Sequence, residues 1–404
     1  MHFSDLRGDR AARYCRAVTL RNLSIGAFLG LVLALGACGG GSDADVADTT
    51  AGSETGTDTG DDGPSPYLEP GPYGVGRRTF TMPDASGERS LVVEVWYPTD
   101  AAVSPDAVEA FEEGERLAAL QPLLAAAPDS CTRKDTSAQA DLALADGAPW
   151  PLVAYSHCSA CTRWSGFSLA ERMASHGIAV AAVDHDGNTL WETLDGDGGG
   201  LSPDGLTNRV ADLELMLDVL LATGDPRVPG QLHSAFDPER VGVMGHSFGA
   251  STIARALQDD PRTKAGVALA APLAFLGGTD IPSIEQPVLM LRALEDNSIG
   301  TAGNALMLDQ FNQLGGRGWF LDAADAGHWS FHDIAGLDES FEAGCGEAVR
   351  MTDGSSFTYT DNAAARDAAA YYATAFFALT LNADPGAEAD LDELVGPVVE
   401  VTLK

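Results

Sequence analysis

The segment Gly245–Gly249, which reads G-H-S-F-G, constrains the fold of this 404-residue chain more than any other short stretch. It follows the apolar run Val241–Met244 and precedes the segment Ala250–Leu257, whose spacing of apolar residues is helical. Glycines on both sides of a serine let the backbone turn sharply between a strand and a helix, so that the serine projects from the turn. We therefore predict a strand, a tight turn and a helix, with Ser247 exposed as a nucleophile.

Apolar runs and amphipathic segments alternate along the rest of the chain. The predicted strands are Leu91–Tyr97, Leu152–Tyr155, Ile178–Val183, Val241–Met244, Ala265–Ala270, Val288–Leu291 and Trp319–Leu321. The predicted helices are Ser165–His176, Leu206–Ala222, Ala250–Leu257, Ala302–Leu314 and Asn362–Leu381. This alternation predicts an α/β protein with a doubly wound, mostly parallel central sheet.

The N-terminal segment has the pattern of an export signal. Five arginines precede the apolar stretch Ile25–Leu35, and a Leu-Gly-Ala sequence leads directly to Cys38. A basic start, an apolar run and small residues at the cleavage point describe a secretory signal peptide. The end of the segment also resembles the lipobox of bacterial lipoproteins, which implies that residues 1–37 are removed and that Cys38 is lipidated. The alternatives are an ordinary signal peptide with a coincidental cysteine, or a membrane-spanning anchor, for which the apolar run is short.

Two further regions follow in the predicted domain organisation. Residues 38–65 are rich in Gly, Asp and Thr, contain no Lys or Arg, and predict a flexible, self-repelling linker. Residues 66–404 then form one domain, with an insertion at 101–148 whose helical part, Val108–Leu124, either covers a binding cleft or lies on the surface. Gly39 after Cys38 suggests an outer-membrane or cell-surface location.

The charge of the chain excludes one class of function. It has 24 Lys+Arg and 59 Asp+Glu, for a formal net charge of −35. Nucleic-acid binding therefore has no electrostatic basis. The hydrophobic fraction of 45% and the length are sufficient for a sizeable buried core.

A nucleophilic serine needs a base, and the base needs a carboxylate that orients it. On a strand–elbow–helix scaffold these partners follow the serine in the order acid, then histidine. Asp296 follows the strand Val288–Leu291, and His328 follows Trp319–Leu321. We predict Asp296 as the acid and His328 as the base. The competing residues are Glu295 and Asn297 for the acid and His332 for the base.

An oxyanion needs hydrogen-bond donors that are already in place. The residue after the nucleophile, Phe248, lies at a helix N-terminus and supplies one free backbone N–H. The loop after the strand Leu152–Tyr155 is the expected source of a second, and we assign it to the backbone N–H of Ser159.

These motifs together resemble the α/β-hydrolase family of platelet-activating-factor acetylhydrolases and their dienelactone-hydrolase-like and polyester-hydrolase-like bacterial relatives. The stretches that carry the resemblance are Gly71–Gly76 (GPYGVG), Val95–Pro98 (VWYP), Ser156–His157 (SH), Ala174–Gly177 (ASHG), Val183–His185 (VDH), Gly245–Gly249 (GHSFG) and Ala326–His328 (AGH). The chain departs from the family at Cys158, where a glycine is usual.

The resemblance implies a serine esterase that cleaves short acyl groups from phospholipid-like or other small esters. It implies no metal or organic cofactor, and we expect a monomer held to a membrane only by its lipid anchor. A peptidase or amidase using the same triad, and a non-catalytic binding lipoprotein, are the alternatives.

Four cysteines remain in the body of the chain: Cys131, Cys158, Cys161 and Cys345. In an exported protein they predict two disulfides, and the sequence leaves all three pairings open. A redox Cys-x-x-Cys pair and a zinc site built on His157, Cys158 and Cys161 are alternatives, although structural zinc needs a fourth ligand. The acidic loop 184–195 partly fits a calcium-loop frame but has Thr189 where that frame requires glycine. We predict an acidic loop and no metal.

Overall fold

The computed structural model describes residues 64–404, and twelve β-strands and eight α-helices lie in this part of the chain. The predicted signal peptide, Cys38 and nearly all of the linker lie outside the described residues. The strands are β1 (Gly74–Pro83), β2 (Ser90–Thr99), β3 (Ala138–Ala140), β4 (Trp150–Ser156), β5 (Ala179–Val183), β6 (Phe236–His246), β7 (Thr263–Leu269), β8 (Val288–Ala293), β9 (Gly318–Ala323), β10 (Glu347–Val349), β11 (Ser356–Thr358) and β12 (Val398–Leu403). The helices are α1 (Gly114–Ala126), α2 (Phe167–Ser175), α3 (Leu190–Asp195), α4 (Pro203–Leu221), α5 (Phe248–Asp259), α6 (Gly300–Gln313), α7 (Asn362–Leu381) and α8 (Ala387–Asp390).

Ten strands form one sheet in the order β12-β9-β8-β7-β6-β4-β5-β2-β1-β3. The six strands from β9 to β5 in this order are parallel to one another. Strands β12 and β2 pair antiparallel with their neighbours β9 and β5. The prediction of a mostly parallel central sheet is therefore confirmed.

Helices cover both faces of the sheet because its central strands are apolar on both sides. In β4, Val153 and Tyr155 belong to one buried cluster, while Leu152 and Ala154 belong to the other. This is the period-2 alternation of a strand. The first cluster includes side chains of α2 and α7, and the second includes side chains of α4, α5 and α6. The sheet is therefore doubly wound, as predicted.

The insertion is built into the body of the domain. Instead of one helix over 108–124, it forms a 3-10 turn at Val108–Phe111 and then α1. Glu112, between the two, accepts hydrogen bonds from the Arg163 guanidinium at 2.6 Å and from the Trp164 indole at 2.7 Å. These partners tie the segment to the stretch between β4 and α2, and strand β3 of the insertion pairs with β1.

Two disulfides close within the described residues, Cys131–Cys345 and Cys158–Cys161. The first joins the insertion to the segment that follows β9, and the second closes the loop after β4. Within residues 64–404, no helix has the length and apolar content needed to cross a membrane.

Candidate active site

The turn between β6 and α5 holds Ser247 in a conformation that few residues adopt. Its backbone has φ 56° and ψ −118°, a strained conformation that persists only where the surroundings enforce it. Both flanking glycines are required by close backbone approach. A Cβ on Gly245 would lie 2.2 Å from the carbonyl oxygen of Gly249, and a Cβ on Gly249 would lie 1.9 Å from that of Ser156. The G-x-S-x-G pattern is thus a steric requirement of this elbow.

The structure brings the three predicted triad residues together. Nε2 of His328 lies 2.8 Å from Oγ of Ser247, and Nδ1 of His328 lies 2.7 Å from Oδ2 of Asp296. Asp296 and His328 are buried, whereas Ser247 is partly exposed. With Nδ1–H donating to the carboxylate, Nε2 is free to accept the serine proton.

The neighbours that competed for the acid position have other partners. The carboxylate of Glu295 accepts from the Arg350 guanidinium at 3.1 Å and from the backbone N–H of Met351 at 2.9 Å. The amide of Asn297 donates to the Tyr359 hydroxyl. Only Asp296 reaches the histidine.

Asp296 is itself held in place by the chain that follows it. Its second oxygen, Oδ1, accepts the backbone N–H groups of Ser298 and Ile299 at 2.9 and 3.0 Å. The competing base candidate, His332, lies behind the triad instead, with Nε2 2.8 Å from the Tyr155 hydroxyl.

The two predicted oxyanion donors come from facing segments. Phe248 is the first residue of α5, so its N–H has no acceptor within the helix. Ser159 lies in the loop after β4, inside the ring closed by the Cys158–Cys161 disulfide. The side-chain amide of Asn188 donates to Oγ of Ser159, and the N–H of Ala160 donates to the Asn188 carbonyl. In this loop Ala160 has a positive φ of 61°, whereas Cys158 does not. The cysteine that stands where the family usually has glycine therefore causes no left-handed backbone strain at position 158.

Arg209, on α4, is a buried residue of the site that the sequence analysis missed. It donates to the carbonyl of His157, and its Nη1 donates to the Asn188 side-chain oxygen at 2.7 Å. Its guanidinium also lies over the Phe248 ring. Burial lowers the pKa of Arg209 to about 9, so it still carries its charge at neutral pH. Arg209 occurs in no recognisable motif, and only its position on a helix face of otherwise buried residues could have signalled it.

A second serine–histidine–aspartate chain lies deeper in the domain. Nε2 of His185 lies 3.0 Å from Oγ of Ser156, and Nδ1 lies 3.2 Å from Asp212. All three residues are buried, and burial holds the pKa of His185 well below its usual value. No substrate can reach the buried Ser156, and the chain links the end of β4 and the segment after β5 to α4.

Several residues considered for metal binding in the sequence have protein partners. In the acidic loop, Asp184 pairs with Arg116 and Arg163, and Glu192 accepts from the backbone N–H of Thr189, the residue that caps α3. His157 uses both ring nitrogens, one with the carbonyl of Cys158 and one accepting the N–H of His185. These contacts leave His157 without a free ring nitrogen and engage Asp184 and Glu192 of the calcium frame in other bonds.

Aromatic side chains border the triad. The Trp329 ring stands perpendicular to that of His328, with centroids 4.6 Å apart. The half-buried Phe275 contacts Phe248 with centroids 5.9 Å apart. Trp329 and Phe248 are themselves buried, so they pack around the triad residues in the interior.

A nucleophile elbow after a central parallel strand, with acid and histidine after later strands, defines an α/β-hydrolase. A family model described as platelet-activating factor acetylhydrolase, isoform II, matches residues 67–194 and 228–334, more than half of the chain. The chain belongs to this family, as the sequence motifs had indicated.

Curated relatives are similar over part of their length. The platelet-activating factor acetylhydrolase of Canis lupus familiaris is 25% identical over 183 residues, which are 37% of this chain and 41% of the relative. That of Gallus gallus is 24% identical over 241 residues, 49% of this chain and 56% of the relative. The matches thus span about half of each relative.

Among solved structures, a ferulic acid esterase from Streptomyces cinnamoneus is similar over most of the fold. The TM-score is 0.61 with 25% sequence identity, and the match covers 82% of this chain and 96% of that chain. The likeness agrees with the sheet order and the doubly wound layers described above.

Proposed function

We propose that this protein is a serine hydrolase that cleaves short-chain carboxylic esters through an acyl-enzyme. Ser247 attacks the ester carbonyl while His328 takes its proton, and His328 then returns that proton to the leaving alcohol. Asp296 orients His328, and the N–H groups of Ser159 and Phe248 hold the oxyanion. Water then attacks the acyl-enzyme, and His328 again takes the proton of the nucleophile and returns it to Ser247. The continuous hydrogen-bonded chain from Ser247 through His328 to Asp296 is the observation that carries the proposal.

Short acyl groups are the proposed substrates because the insertion is poorly suited to act as an apolar lid. Glu112 anchors it to Arg163 and Trp164, and α1 carries the charged residues Glu115 and Arg116. The relatives named acetylhydrolases and the neighbour named ferulic acid esterase support ester cleavage. Each methylene buried adds about 0.8 kcal/mol, so a profile from about two to sixteen acyl carbons will reveal the depth of the pocket.

The test combines a fluorophosphonate probe with p-nitrophenyl esters on wild type, Ser247→Ala and Ser298→Ala. Ser298 is exposed beside the triad and serves as the matched control. We expect labelling and acetate-ester turnover in wild type and Ser298→Ala, and neither in Ser247→Ala. No labelling of wild type would indicate a binding lipoprotein, and labelling without ester turnover would indicate an amidase. A kcat/KM that rises steadily to sixteen carbons would indicate a lipase.

We also propose that the mature protein is an exported monomer, anchored by lipid on Cys38 to an outer membrane or cell surface. The proposal rests on the signal-like N-terminus and on two disulfides in the domain, which fit an oxidising compartment. Mass spectrometry of the N-terminal peptide is expected to show a diacylglycerol on Cys38, and Cys38→Ala is expected to release the protein from membranes. An unmodified Cys38 in membrane-free protein would contradict the anchor.

A further inference from the structure

Three metal-ligating side chains meet behind the triad: Cys158, His246 and His332. The sulfur and one ring nitrogen of each histidine all lie within 4.8 Å of one another. The two imidazole rings are 4.1 Å apart between centroids, and all three side chains are fully buried. None of them takes part in the proposed ester cleavage.

Both histidines have an unused nitrogen in this cluster. Nε2 of His246 donates to the carbonyl of His328, and Nε2 of His332 pairs with the Tyr155 hydroxyl. Nδ1 of each ring has no hydrogen-bond partner among the described residues. Buried polar atoms without partners are uncommon and cost free energy, so two orphaned nitrogens on rings that meet beside Cys158 indicate a missing ligand.

The protonation of both rings suits metal binding. Because Nε2 of His246 must carry the proton that it donates to a carbonyl, its Nδ1 has a free lone pair. Both rings are fully buried, an environment that disfavours the charged imidazolium. Neutral imidazole is the form that binds metal ions.

The remaining ligands come from the disulfide. Cys158 and Cys161 have the C-x2-C spacing of a zinc ligand pair, and their Cα atoms are 5.2 Å apart. As a disulfide, neither sulfur is a thiolate, so the set is incomplete. Opening that bond frees the Cys158 sulfur inside the cluster, whereas the Cys161 sulfur lies outside the three-residue group and must rotate towards it to become the fourth ligand.

We propose that reduction of the Cys158–Cys161 disulfide converts this cluster into a Cys2His2 site for Zn2+, with His246 and His332 as the nitrogen ligands. In tetrahedral zinc sites the bonds of about 2.0–2.3 Å place ligand atoms roughly 3.3–3.8 Å apart. The three clustered ligand atoms, which lie within 4.8 Å, must therefore approach one another by about 1 Å, and the Cys161 sulfur must join them. The proposal does not depend on whether Ser247 cleaves esters.

The chemistry balances with a dithiol as reductant. The dithiol gives two electrons and two protons to the sulfur–sulfur bond, which yields two protein thiols and the oxidised cyclic form of the reagent. Each thiol then releases one proton to solvent as its sulfur binds Zn2+. His246 binds through the lone pair of Nδ1 and releases no proton, and His332 does the same in the tautomer whose Nε2–H donates to the Tyr155 hydroxyl.

The test measures the Zn2+ bound by the full chain in its oxidised form and after reduction with a dithiol. Each sample is incubated with Zn2+ and desalted, and the bound zinc is then counted with a chromophoric chelator. We expect about one zinc per reduced chain and none on the oxidised chain. The variants Cys158→Ser/Cys161→Ser and His332→Asn are expected to lose it. Cys131→Ser/Cys345→Ser, which removes the other disulfide, is the matched control and is expected to keep it.

Cobalt provides a second measurement on protein shown by circular dichroism to remain folded. Co2+ bound by two thiolates and two imidazoles gives the intense visible absorption of a tetrahedral site, and His332→Asn is expected to weaken it. Zinc that remains in Cys158→Ser/Cys161→Ser, or folded reduced protein that binds neither metal, would overturn the proposal. Loss of ester turnover alone, with zinc binding intact, would contradict only the proposed function.

Discussion

The guanidinium of Arg209 lies 4.7 Å from the centroid of the Phe248 ring, and the same guanidinium donates to the carbonyl of His157. One buried side chain therefore contacts both segments that carry the predicted oxyanion donors, the start of α5 and the loop after β4. The planar fork of arginine allows this, since it can stack and donate at several angles at once.

Arg209→Lys is expected to lower kcat by about 100-fold with a smaller change in KM, because misplacing a donor by about 1 Å has an effect of that size. A lysine keeps the charge but loses the stacking and the second donor. The measurement is steady-state kinetics on an acetate ester, with melting temperature as a folding check. Arg255→Lys, on the surface of α5, is the control, and a fully active Arg209→Lys would show that the contacts do not position the oxyanion hole.

The two carboxylates at 295 and 296 are expected to behave differently. Asp296→Asn should lose about 10⁴ in kcat, the size of effect found for the equivalent change in a serine protease, because the amide favours the wrong histidine tautomer. Glu295→Gln should retain kcat within a few-fold, since its partners are Arg350 and Met351. The measurement is kcat for both variants on an acetate ester. An inactive Glu295→Gln would show that Asp296 is not the triad acid.

The elbow glycine at 249 is expected to tolerate no side chain. In Gly249→Ala the new Cβ would meet the Ser156 carbonyl at 1.9 Å, so either the turn or β4 must move. We expect loss of activity together with a lower melting temperature. Gly230→Ala, where a Cβ meets nothing within 4 Å, is the control. Wild-type activity in Gly249→Ala would mean that the elbow is looser than described.

Glu171 is expected to make stability depend on pH. Burial raises the pKa of this carboxyl from 4.5 to about 7, and Arg133, 3.3 Å away, only partly offsets the effect. The folded state therefore holds a proton that the unfolded state has released between these pH values, so stability falls as pH rises through this window. Glu171→Gln removes the titration. The free energy of unfolding of both proteins is measured by urea unfolding from pH 4 to pH 8. As the pH rises, the difference between the two values should shift in favour of the variant. A constant difference would contradict the raised pKa.

The sequence predicted the parts of the fold whose residues are apolar at a regular spacing. The helix Asn362–Leu381 has the predicted bounds because Asp361 caps its first turn. Strand β1 was missed because it contains Arg77 and Arg78. Arg77 is nevertheless buried, paired with Glu94 and Asp106. Such pairing joins residues far apart in the chain, and no local pattern reveals it.

The candidate site also combines residues that a local pattern predicts with residues that only contacts in the folded chain reveal. Ser247, Asp296 and His328 each follow a recognisable strand, so chain order was enough to nominate them. Arg209 and the orphaned nitrogens of His246 and His332 depend on which side chains meet in the interior. The cysteine pairing was also open, since three pairings share one sequence and only the fold brings Cys131 to Cys345.

The Cys131–Cys345 disulfide is expected to stabilise the domain chiefly by restricting the unfolded chain. It closes a loop of 214 residues, and removing a native disulfide costs about 2–5 kcal/mol. Neighbouring contacts also hold the insertion here, since Thr132 donates to the Ala335 carbonyl at 2.6 Å and Arg366 donates to that of Cys131 at 2.7 Å. These contacts should keep Cys131→Ser/Cys345→Ser folded and active at 25 °C. Its urea midpoint should fall clearly below that of the control Ser130→Ala, and equal midpoints would show that these hydrogen bonds alone hold the insertion.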